Sequence, residues 1–157
     1  MIAVGESGNK GRGVFAQKRF RAGELIERCP VILLNPAERD RIGSTILGMY
    51  CFCWGADTEE MAIALGYGSI YNHSYEPNAD FHRAVEDGAM DFVALRDIER
   101  GEEITINYNG VPEDQSPIWF DDGQWGWVSE MAAVNGSVSR SGDRATTSVD
   151  AERSCVA

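Results

Sequence analysis

Between residue 4 and about residue 110 the chain never runs far without a glycine, and the stretches between are short, apolar and bounded by turn residues. That rhythm suits short strands joined by tight turns rather than long helices, so the expected fold is mostly β. Strands are expected at 13–17, 25–34, 49–54, 79–84, 91–94 and 103–108. Asn35-Pro36-Ala37-Glu38 interrupts them with an N-cap, a proline at the first helical position and a glutamate placed to reach back to the cap. A helical turn follows, ended by Gly43. The run Met61-Ala62-Ile63-Ala64-Leu65 is too short for periodicity to separate a helix from a buried extended segment.

Length and charge narrow the class. With 157 residues, 43% of them hydrophobic, the chain suits one domain over 1–127. From Val128 on, Ser, Ala, Gly, Thr and Val dominate and no aromatic residue appears, so 128–157 reads as a disordered tail. A net charge of -11 with no local basic patch argues against direct nucleic-acid binding. The longest apolar run, Pro30 to Leu34, falls far short of the roughly 18 residues of a membrane span. No basic segment leads into an apolar one at Met1 to Glu6, which points to cytoplasmic residence. Cys29, Cys51, Cys53 and Cys155 form no CxxC pair and, with only two histidines, no zinc set. Cys51 and Cys53 are expected on one face of a core strand.

Three segments carry candidate chemistry. Gly8-Asn9-Lys10-Gly11-Arg12-Gly13 fits no phosphate-loop spacing, yet glycine at positions 11 and 13 lets the backbone approach a ligand closely. An ordinary hairpin turn is the plainer reading. Tyr71 to Ala79 packs hydrogen-bonding side chains around Pro77; Asn72, His73 and Asn78 either satisfy their own backbone in a tight turn or face a ligand. Gly101 to Tyr108 is a turn followed by an alternating strand, in which Glu102 and Glu103 are expected in solvent and Tyr108 is an amphipathic ring at the strand end.

Taken in order, GRGVFA, YNHSYEPNA and GEEITINY resemble the SET domain, the protein-lysine methyltransferase fold, over roughly residues 5 to 120. The little that is inserted between the motifs looks most like the small free-standing SET proteins of bacteria and viruses. The resemblance implies several small curved sheets, few short helices and a C-terminal pseudoknot in which the segment ending in Tyr108 passes beneath the loop of Asn72 and His73. It implies S-adenosylmethionine as cofactor, a protein substrate bearing a target lysine, and no membrane; small relatives of this kind can pair, so a homodimer is compatible with it. Carried over by residue, Lys10, Gly11, Arg12 and Gly13 would meet the methionine part largely through backbone. Asn72 would bond it by side chain, and His73 would hold the adenine through its main chain. Tyr108 matches the catalytic tyrosine, and Tyr50, Phe81 and Ile106 fall where the lysine channel runs. Phe81 and Ile106 carry no hydroxyl, which would leave room for a second or third methyl.

Methyl transfer from a sulfonium to an amine moves a positive charge rather than creating one, so positioning dominates its catalysis. The lysine must first lose a proton from a group with a pKa of about 10.4, which an apolar channel makes easier. The chain departs from the larger family members after Tyr108, where a zinc-binding cysteine cluster is missing and Trp119, Phe120, Trp125 and Trp127 stand instead. These rings either cover the site or pack on the domain edge or a dimer interface. Two other readings compete: a SET fold that binds a peptide or partner without turnover, and methylation of a small amine.

Overall fold

The computed structural model describes residues 1–55 and 60–118. The expected tail and the rings of Trp119, Phe120, Trp125 and Trp127 lie outside the described residues, as does Cys155. Among the described residues nine short strands make two sheets. The first has four strands in the order β1 (Ile2–Glu6), β2 (Arg12–Ala16), β9 (Glu103–Ile106), β6 (Asn72–His73). The second orders five: β4 (Cys51–Trp54), β5 (Glu60–Ala64), β3 (Leu25–Leu34), β8 (Ala89–Ala94), β7 (Ala79–Ala84).

β3 is the longest strand because it serves two partners in turn. Leu25 to Pro30 pair with β8 and Val31 to Leu34 with β5, both antiparallel, and a bulge between Leu25 and Glu27 adds local twist. Pro30, which has no N–H to give a ladder, sits where the partner changes. The side chains the sheets enclose form the core: Phe20, Trp54, Tyr71, Phe81, Met90, Phe92, Ile98 and Ile104 are buried. Tyr71 stacks on Phe92 with centroids 4.4 Å apart, and Phe81 stands edge-on to Phe52 at 5.1 Å.

Two expected strands, 25–34 and 79–84, have the observed bounds. The capping box forms as read: Asn35 Oδ1 accepts from Glu38 N–H, and Glu38 Oε2 accepts from Asn35 N–H, at the start of α1 (Pro36–Gly43). Cys51 and Cys53 are both buried on β4, and among the described residues neither they nor Cys29 form a disulfide. The open segment at 61–65 is strand β5 for most of its length. Elsewhere local hydrogen bonds override the apolar pattern. Met49 and Tyr50 are not strand but the end of a 3₁₀ helix, Ile46–Tyr50, whose start is capped by Thr45 Oγ1 accepting from Leu47 N–H. β9 stops at Ile106 because Asn107 Oδ1 accepts from Asn109 N–H, an Asx turn that takes the chain out of the sheet before Tyr108. β1 had no reading of its own; it forms as the antiparallel partner of β2, from Ile2 against Ala16 to Glu6 against Arg12.

Asn78 fastens β9 to the turn before β7. Its Nδ2 donates to the Glu103 carbonyl (2.7 Å) and to Glu102 Oε1 (3.1 Å), and its Oδ1 accepts from Thr105 N–H (2.9 Å). The side chain is almost fully buried, so its loss strands two backbone groups away from water. Asn78→Ala should lower unfolding stability by about 2–4 kcal/mol in denaturant titrations; a change under about 0.5 kcal/mol, the usual range for a surface substitution, would contradict this role.

Candidate active site

The glycine-rich segment is a hairpin turn built for close approach. A 3₁₀ turn, Gly8–Lys10, is closed by Ser7 N–H donating to the Gly11 carbonyl (2.7 Å) and Lys10 N–H donating to the Ser7 carbonyl (2.8 Å). Gly11 has φ +76, which side-chain-bearing residues rarely adopt, and a Cβ there would meet nothing within 4 Å. Its glycine is therefore demanded by the backbone and leaves open space beside it. Gly13 is glycine for a different reason: a Cβ would collide with the Glu103 carboxylate and come within 2.8 Å of Asn72 Nδ2.

That contact corrects the expectation that Glu102 and Glu103 are solvated; both are half-buried and fully engaged. Glu102 takes bonds from Arg96, Asn78 and the Glu99 N–H. Glu103, on the opposite face of the strand, accepts from Ser7 Oγ (2.7 Å) and from Asn72 Nδ2 (2.7 Å).

The site rests on a parallel pairing of two short strands, Asn72 beside Thr105 and His73 beside Ile106. Asn72 Nδ2 also donates to the Arg12 carbonyl (3.0 Å), and Lys10 Nζ donates to the His73 carbonyl (2.9 Å). Of the candidate binding residues, Lys10, Arg12, Gly13, Asn72 and His73 are thus joined directly, with Gly11 in the same turn. The second reading of the Asn-His segment, as a turn satisfying only its own backbone, does not describe these bonds.

Tyr108 comes back over this crossing. Its N–H donates to His73 Nδ1 (3.1 Å), which assigns the ring proton to Nε2, and its ring lies 5.3 Å from that of His73. Its hydroxyl is not in water: it donates to the Tyr71 carbonyl (2.8 Å). Burial first, then the nearby Tyr50 and the Glu103 charge, push its pKa well above the ordinary phenol value, so it stays protonated. With Met49, Tyr50, Phe52, Ser69 and Tyr71 it lines a small open hollow. Tyr50 therefore stands where a channel ring was expected. Phe81 does not line this hollow but backs it through Phe52, and Ile106 is wholly buried in the core.

Two residues at the floor escaped the sequence reading. Tyr71 gives its carbonyl to Tyr108 and its hydroxyl to Glu27 Oε2 (3.1 Å), while Glu27 Oε1 accepts from Tyr67 N–H (3.1 Å). Nothing in the spacing of Glu27 marked it, since it lies on a strand that otherwise reads as core. On the far side Tyr75 stands edge-on to His73 with centroids 4.4 Å apart, and its hydroxyl accepts from the Ile118 N–H (3.1 Å). The described chain leaves the site at that point.

The hairpin turn, the parallel crossing and the buried phenol meet at one place in the fold. The description "SET domain" matches residues 11–109, and the chain belongs to that family. It is 30% identical over 122 residues to the "Histone-lysine N-methyltransferase, H3 lysine-37 specific" of Schizosaccharomyces pombe, covering 77% of this chain and 78% of that one. It is 32% identical over 123 residues to the human histone-lysine N-methyltransferase 2B, covering 73% of this chain but only 4% of that much longer protein. A crystal structure of a candidate histone methyltransferase from Plasmodium falciparum superposes with a TM-score of 0.56 at 29% identity, covering 71% of this chain and 99% of that one.

The buried thiol and phenols beneath the site set an alkaline limit. Cys29 is pushed up to about 12 from an ordinary 9.0, by burial first and the Glu27 charge second, and Tyr71 is raised by the same two causes. An unfolded chain releases the thiol proton from pH 9.0 upward while the folded chain keeps it, so the stability this contributes is complete below 9.0 and lost towards about 12. Thermal melts should show Tm falling from near pH 9, with the onset displaced towards pH 10, where the phenols titrate, in Cys29→Ala. An unchanged onset in that variant would contradict the assignment.

Proposed function

We propose that this chain transfers a methyl group from S-adenosylmethionine to the side-chain amine of a lysine in a protein substrate. The observation that carries the reading is the Tyr108 phenol, held protonated at the floor of the hollow, immediately beside the crossing strand of Asn72 and His73 to which Lys10 is bonded. The relatives' names specify lysine methyl transfer to histones, which makes a basic, lysine-bearing protein the substrate class to test first, and the chain's net charge of -11 suits it.

The donor set fits the cofactor. A zwitterionic amino-acid head needs a cation and an acceptor, and Lys10 Nζ and Asn72 Oδ1 supply them beside the open space at Gly11. The His73 carbonyl would keep its bond to Lys10 and offer its second lone pair to an adenine, or exchange one for the other. When bound, S-adenosylmethionine supplies the electrophilic methyl; all else falls to side chains already in place. The hollow is walled by Met49, Tyr50, Phe52, Tyr71 and Tyr108, with Ser69 among them, so a lysine entering it loses most of its water and its neutral form is favoured. Tyr108 commits its proton to the Tyr71 carbonyl, and towards an amine its oxygen acts as an acceptor. It orients the nucleophile rather than removing its proton, because its own pKa lies too high for a base at neutral pH.

The decisive comparison is histone protein incubated with methyl-labelled cofactor and either the wild-type chain or Tyr108→Phe. The variant should label at least about 100-fold more slowly while binding S-adenosylhomocysteine in calorimetry as the wild type does, since the lost hydroxyl orients the reacting atoms. Equal labelling by both would remove Tyr108 from the mechanism. Cofactor binding without label transfer to any protein would favour a binding module, and label on free amines alone would favour a small-molecule enzyme.

The pH dependence follows from the same assignment. Wild-type turnover should rise with pH as the substrate lysine loses its proton, with no falling limb below pH 10, the ordinary phenol value above which Tyr108 is held. A bell-shaped profile with a descending limb near neutrality would contradict it.

A further inference from the structure

Among the described residues Glu103 is the carboxylate that touches both halves of the candidate cofactor site. Its Oε2 accepts from Ser7 Oγ, at the entrance of the glycine turn, and its Oε1 accepts from Asn72 Nδ2, on the crossing strand. Its carboxyl group lies where a side chain at position 13 would have to go. Ser7 is nearly buried, so this bridge forms in a place where an unmatched polar group is costly.

The consequence is chemical as well as structural. An amide side chain has two N–H donors and one carbonyl acceptor, and its orientation is set by what faces each end. At Asn72 the nitrogen faces two acceptors, the Glu103 carboxylate (2.7 Å) and the Arg12 carbonyl (3.0 Å), so both donors are spent and the flipped amide is excluded. What Asn72 offers a ligand is Oδ1, an acceptor. An acceptor recognises an ammonium group and repels a carboxylate.

The geometry points to Glu103 as a positioning residue. It fixes the Asn72 amide and the 7–13 turn so that the site selects ligands carrying the α-amino group of the methionine half. This rests on the S-adenosylmethionine reading above. Glu103 touches neither the methyl nor the lysine; it acts through Asn72 and Ser7.

The test is calorimetric and needs no turnover. Three ligands are titrated: S-adenosylhomocysteine, its analogue lacking the α-amino group, and methylthioadenosine, which lacks the amino-acid half altogether. The wild-type chain should bind the first at least about tenfold more tightly than the second, the scale of one charge-assisted hydrogen bond. In Glu103→Ala that preference should fall to within about twofold while methylthioadenosine affinity stays unchanged. Glu103→Gln, whose amide oxygen still accepts from Asn72 while Ser7 reverses its hydroxyl, should keep most of the preference. If Glu103→Ala proves too unstable to titrate, Ser7→Ala decides instead: it releases one end of the bridge and should reduce the preference several-fold.

An undiminished preference in Glu103→Ala, or in Ser7→Ala, would overturn the proposal. So would a parallel loss of methylthioadenosine affinity, which would mean that Glu103 only supports the fold. A wild-type chain that binds none of the three ligands would instead sink the cofactor reading itself, and this proposal with it.

Discussion

Two residues of parallel strand pairing, Asn72 beside Thr105 and His73 beside Ile106, hold the site together. The segments they join are far apart in the chain, so the entropy of closing that loop must be recovered by bonds made only once they meet. The structure supplies these in quantity. Asn78 binds Glu103 and Thr105 from one side, Glu103 binds Asn72 and Ser7 from the other, and Tyr108 binds His73 and Tyr71 beyond the strand end. Remove the crossing and the glycine turn, the amide and the phenol become three unrelated loops.

Around that crossing, polarity is divided by task. The side that includes Lys10, Asn72 and the His73 main chain is hydrogen-bonded and half-open. Across Tyr108 lies the hollow of Met49, Tyr50, Phe52 and Tyr71, where burial holds Tyr71 and Tyr108 in their neutral forms. A reaction that joins a charged donor to a neutral amine needs both environments a few ångströms apart, and Tyr108 belongs to each. The Tyr71 side chain extends the arrangement into the core, through Glu27 to the Tyr67 backbone, so the carbonyl that orients Tyr108 is itself held from behind.

Much of this was legible before any coordinates. The short runs of β3 and β7 between turn residues, the capping box at Asn35 and the three motifs in order are local signals, and local signals survive folding. The joining of Lys10, Asn72, His73 and Tyr108 also emerged, because the motifs carry it as a set. What the chain did not announce depends on partners distant in sequence. β1 is a strand because β2 pairs with it. Glu103 looks like a solvated strand residue until Ser7 and Asn72 arrive at its oxygens. Met49 and Tyr50 carry an extended apolar pattern, yet Thr45 caps a 3₁₀ helix through them and turns Tyr50 to the hollow. Phe81 alternates as a channel ring would, but Phe52 stands between it and the hollow.

The central claim is that the crossing of Asn72 and His73 with the segment ending at Tyr108 is the cofactor site. Backbone amide NMR, with S-adenosylhomocysteine titrated into the full chain, tests it most directly. The largest shifts should fall together on Ser7, Gly11, Gly13, Asn72, His73 and Tyr108, with the five-stranded sheet little changed. Saturable shifts confined to other residues, or no shifts at millimolar ligand, would contradict it.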